Sequence, residues 1–142
     1  MASVDATATH QPTNAELIVL FDADCGFCSW CATSLERLDT RHCLRLIPLQ
    51  LAQAHEEADP PGQDMLLRAL HVRDRDGHWM RGGRACLRIA AEVPVLWPVA
   101  IIGRAPIVRA CVEPVYRFVA HHRHRIGRLL GVGTCTYRPS SR

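Results

Sequence analysis

Five apolar residues, Leu17-Ile18-Val19-Leu20-Phe21, stand between Glu16 and Asp22. A short apolar run bounded by acids predicts a buried strand. Beyond Asp24 the period changes, because Phe27, Cys31, Leu35 and Leu38 recur at helical spacing. That stripe predicts a helix from Cys25 to Leu38 with Asp24 as its N-cap and Cys31 near the middle of the buried face. Cys43 to Leu49 alternates as a second strand, and Gln50 to Glu57 has room for a short helix before Pro60-Pro61-Gly62 breaks the chain. Leu66 to Arg73 reads as a strand with Leu70 and Val72 inward, Asp74 to Gly77 as a turn, and His78 to Arg81 as the antiparallel return. Gly82-Gly83 then precede a helix to Glu92, whose stripe of Cys86, Ile89, Ala90 and Val93 makes Cys86 a second core thiol. Further helices fill Val95 to Ile126, broken near Pro98, Pro106 and Pro114, each read as a first-turn proline.

The strand-to-helix junction carries the candidate chemistry. Asp22-Ala23-Asp24-Cys25-Gly26-Phe27-Cys28 places a Cys-x-x-Cys where the helix begins, and N–H groups at a helix N-terminus stabilise a thiolate. Cys25 is expected at the exposed helix tip as the nucleophile. Cys28, three residues on and a turn deeper, suits a resolving thiol that closes the disulfide. Asp24 beside Cys25 opposes the thiolate, whereas a partly buried Asp22 is placed to take up or return a proton. The candidate site residues are therefore Cys25, Cys28, Asp22 and Asp24, with no dissociable cofactor required.

Composition narrows the setting. With 142 residues the chain is one domain's worth, divided here into a flexible segment 1–15, a domain 16–128 and a tail 129–142. Its seven cysteines are an odd number, and Met1 to Thr13 has neither a basic start nor an apolar core; both features point to a reducing cytoplasm. Val93 to Ile102, the longest apolar stretch, is too short and too interrupted by proline to span a bilayer. Residues 1–64 hold three arginines against ten acids, and residues 65–142 hold fourteen against four, with no lysine anywhere. A basic half can mark an anionic partner such as nucleic acid or a membrane surface, but arginines scattered through helices read as a solvated face, and His121-His122-Arg123-His124 reads as exposed basic surface.

Strand, helix, strand, helix, hairpin and helix in that order predict an α/β fold: a four-stranded mixed sheet with a βαβα-ββα core, thioredoxin-like, and extra C-terminal helices. The chain also resembles the DCC family of thioredoxin-like proteins. The resemblance rests on Phe21 to Cys28, Leu46-Ile47-Pro48-Leu49-Gln50, the hairpin with Asp76-Gly77, Gly82 to Ala85, and Tyr116 to Arg123. It implies a thiol-disulfide oxidoreductase acting on a disulfide-containing protein or small-thiol substrate and served by a dithiol electron donor. Two positions depart from pattern: Ala23 replaces the usual glycine, and Met65, Leu66 and Leu67 stand where thioredoxins carry a cis-proline.

Three other readings compete for the same residues. Cys25, Cys28 and Cys31 are spaced like the opening of an iron-sulfur or zinc ligand run, but position 35 is leucine and one helix would fan the thiols apart. Asp22-Ala23-Asp24 after a strand resembles a haloacid-dehalogenase-type phosphatase motif, whose downstream lysine this chain lacks. A non-catalytic interaction module is the third; inert thiols would favour it.

Overall fold

A computed structural model describes residues 17–51, 66 and 68–132. The expectations for residues 1–15, for most of the Gln50 to Glu57 helix, for Met65 and Leu67, and for much of the tail fall outside these residues. Strands β1 (Leu17–Phe21), β2 (Leu44–Pro48), β3 (His71–Arg73) and β4 (Trp79–Arg81) form one sheet in the order β2-β1-β3-β4. β1 pairs in parallel with β2 and antiparallel with β3, and β3 pairs antiparallel with β4. This is the mixed sheet of a thioredoxin-like α/β fold.

β1 is apolar throughout because it is central and covered on both faces. Leu17 and Val19 join Val72, Ala85, Ile89 and Val93 in one core, and Leu20 joins Ile47, Leu49 and Leu66 in the other. Helix α1 (Gly26–Leu38) returns the chain to β2. Its end is organised by the buried carboxylate of Asp39, which accepts from the N–H groups of Cys43 and Leu44 at 3.0 and 2.8 Å.

Helix α2 (Gly82–Glu92) follows β4 directly. A 3-10 turn (Pro94–Leu96), helix α3 (Trp97–Ile102) and helix α4 (Pro106–Leu129) complete the described chain. Gly82 sits at φ +62, and its N–H donates to the Leu70 carbonyl at 3.0 Å. Gly83 lets α2 and α4 touch: a Cβ there would lie 2.5 Å from Cγ1 of Val112.

Three expectations need correction. The hairpin strand is only His71–Arg73, not Leu66 to Arg73. Pro114 lies inside α4 instead of opening a new helix. The Ala110 carbonyl that loses its N–H partner is on an exposed residue, as is Pro114, so it is open to solvent and the helix can continue. α4 also runs past the expected helix end at Ile126, to Leu129.

Candidate functional site

The loop between β1 and α1 folds on itself before the helix begins. The Asp22 carboxylate accepts from the Asp24 N–H at 3.0 Å, a local turn that Asp favours because its side chain reaches the backbone two residues on. Gln50, at the end of β2, clamps this turn from outside. Its amide nitrogen donates to Asp22 at 2.8 Å and to Asp24 at 3.1 Å, and its oxygen accepts from the Ala23 N–H at 3.1 Å.

The N-cap is Cys25, not Asp24. Sγ of Cys25 accepts from the Cys28 N–H at 3.4 Å, while the Asp24 carboxylate is held by Gln50. Cys25 is also not at an exposed tip: it is 1% exposed, because capping turns its sulfur back under the first helical turn. Cys28 is half-buried, and all six described cysteines are free thiols. The Cys28 thiol hydrogen-bonds to Cys25, and burial, this bond and the neighbouring sulfur together push Cys28 up to about 12. The two thiols are thus chemically unequal: one sulfur collects the helix N-terminal N–H, and the other holds its proton.

Arg123 of α4 completes the arrangement. Nη1 lies 4.0 Å from Sγ of Cys28, and Nη2 lies 3.8 Å from Oδ2 of Asp22. Its positive charge acts to lower Cys28, against the larger effect of burial. Arg123 is therefore not exposed basic surface as its neighbours His121 and His124 are. α4 is pinned in place by Tyr116, whose hydroxyl oxygen accepts from the Leu70 N–H at 2.7 Å, and by Glu113, which accepts from the Gly83 N–H at 3.0 Å.

Beside Cys28 opens an apolar cavity of about 480 Å³. Phe27, Trp30 and Leu35 of α1, Ile89 of α2 and Val119 of α4 are among its walls, and Arg123 and Asp22 lie at the Cys28 end. The expectation that Cys31 and Cys86 are packed core thiols is corrected here. Both line the cavity; Cys31 is half-buried and Cys86 is exposed. Shielding within these walls pushes each up to about 11.

The sequence-predicted residues Asp22, Asp24, Cys25 and Cys28 are brought together, with Asp24 outermost. Sequence periodicity missed the parts played by Arg123 and Gln50, which appear only among the residues of the family resemblance. Among the described residues, the group of three potential ligand atoms within 4.8 Å of one another is Asp74, Asp76 and His78 in the hairpin turn, not the cysteines. There Asp74 is engaged by the N–H groups of Asp76 and His78 at 3.0 and 2.8 Å, an ordinary turn arrangement.

The family model for DCC1-like thiol-disulfide oxidoreductases matches residues 19–129. Neither a curated protein nor a solved structure matches the chain. The matched span runs from β1 to the last turn of α4, so it includes every residue of the site, Arg123 among them.

Proposed function

The chain belongs to the DCC1-like thiol-disulfide oxidoreductase family, and from that premise we propose that Cys25 is its nucleophile and Cys28 its resolving thiol. The observation that carries this reading is the unequal pair: Sγ of Cys25 accepts a helix N-terminal N–H, while the Cys28 thiol is pushed up to about 12. In the reducing direction the Cys25 thiolate attacks one sulfur of a partner disulfide, and the other partner sulfur leaves as a thiolate. Cys28 then gives up its proton and attacks Cys25, releasing the second partner thiol. Two electrons pass to the partner and the chain is left with a Cys25–Cys28 disulfide, which a dithiol donor reduces. Asp22, joined to Cys28 through Arg123, is the nearby carboxylate that exchanges the proton; Asp24 and Gln50 hold the turn.

Cys25 is buried, so attack requires its side chain to leave the N-cap position as a partner docks at the 22–28 loop. The partner is a disulfide-containing protein or small thiol compound. We place the reaction in a reducing cytoplasm, in keeping with the odd cysteine count. Among the described residues no single helix is long and apolar enough to cross a membrane.

Trapping tests the assignment. Cys28→Ser should leave Cys25 covalently joined to partners in cells, and the bond should be broken by dithiothreitol. Cys28 lines the cavity and Cys25 does not, so the opposite result is a specific rival. Partners captured through Cys28 in a Cys25→Ser variant, and none through Cys25, would reverse the two roles.

A further inference from the structure

α4 has two apolar faces, and only one of them is used. Tyr116, Arg123 and Gly127 face the domain, where they meet Leu70, Cys28 and Phe27. Ile107, Val115, Phe118 and Leu129 do not. At about 100° per residue these four lie within an arc of about 80° on the side of the helix turned away from the packed face. They are 78, 60, 64 and 87% exposed. α3, joined to α4 through residues 103–105, also leaves Ile101 and Ile102 64 and 61% exposed, with Ile101 lining the hollow against Leu87 and Arg88 of α2. Large apolar side chains gathered in this way mark an interaction surface rather than a random scatter.

Charge selects the partner. Between Pro94 and Val132 the chain has six arginines and one acid, Glu113. That acid is turned toward Gly83 and is also paired with Arg117 at 3.5 Å. Arg104, Arg109, Arg125 and Arg128 are exposed. A second copy of this chain would bring the same positive surface against itself, and a nucleic acid would leave the aliphatic side chains without a counterpart. We propose that the exposed face of α4 docks onto an anionic lipid bilayer, with Ile107, Val115, Phe118 and Leu129 entering the headgroup region and Arg125 and Arg128, which border that face at the same helical spacing, meeting lipid phosphates. Docking of this kind lays a helix on the bilayer surface rather than across it. It is independent of the dithiol chemistry, because none of these side chains touches Cys25 or Cys28.

The test is co-sedimentation of the full chain with vesicles of phosphatidylcholine alone and of phosphatidylcholine mixed with phosphatidylglycerol. Binding is expected to the mixed vesicles only and to weaken as salt is raised, through screening. Arg125→Gln with Arg128→Gln should weaken it by about 25-fold, at about fivefold per arginine near the surface. Ile107→Ser with Phe118→Ser should weaken it at least tenfold while circular dichroism and disulfide exchange in solution stay unchanged. Equal binding to both vesicle types, no binding to either, or a stable dimer that Phe118→Ser dissociates would each overturn the proposal. Loss of disulfide exchange in the wild type with lipid binding intact would instead count against the redox reading alone.

Discussion

Arg123→Gln is the sharpest test of how the unequal thiols work. The guanidinium lies 4.0 Å from Sγ of Cys28 and favours the thiolate that must form in the resolving step. Two unit charges at 4 Å interact by about 4 kcal/mol at an effective dielectric of about 20, and by about 1 kcal/mol in water. Asp22 sits 3.8 Å from the same guanidinium, and the arginine side chain is partly exposed, at 21%; both place the net effect toward the lower end. A loss of about 1.4 kcal/mol raises the Cys28 pKa by about one unit. The thiolate fraction then falls about tenfold, but a more basic thiolate is about threefold more nucleophilic, so resolution should slow by about three- to fourfold. A chromogenic disulfide separates the steps: the first equivalent of released thiol reports attack, and the second reports resolution. Only the second phase should slow, its pH dependence should move to higher pH, and Arg123→Lys should restore most of the rate. An unchanged second phase, or equal slowing of both, would refute the electrostatic role.

The other expectations concern packing and protonation. Gly83→Ala would drive a Cβ to 2.5 Å from Val112 Cγ1 and 3.0 Å from its carbonyl oxygen; thermal melts should show a loss of about 1–3 kcal/mol, the usual result of overpacking. Tyr116→Phe leaves the Leu70 N–H without its partner, and denaturant titration should read a loss of about 1–3 kcal/mol. For the cavity thiols the sign follows from linkage: burial raises Cys31 from 9.0 to about 11, so between those values the unfolded chain has lost a proton that the folded one keeps. Stability is therefore full below pH 9 and falls as the pH rises toward 11, and Cys31→Ala should flatten that decline in melting temperature.

Periodicity and local chemistry determined much of this protein. Leu17 to Phe21 could be read as a buried strand because both of its faces are covered, and a Cys-x-x-Cys at the helix start announces a dithiol whatever lies around it. Element order led to the mixed sheet, since short connections leave few ways to pack such a series. What stayed hidden depends on residues distant in sequence or on which way a side chain turns. Gly82-Gly83 could be read as the lead into a helix, but only packing revealed that α4 passes close enough to need a missing Cβ. Pro114 could be read as a helix start, but only its solvent-facing position let α4 run through it. The expected cap was Asp24, and Gln50, 26 residues away, took that carboxylate and left the cap to Cys25. Likewise the basic run at 121–124 read as one surface, yet α4 rotates Arg123 inward to Cys28 across 95 residues of chain. Helical period assigns a residue to a face, but which face meets the dithiol is decided by the packing of helix against helix.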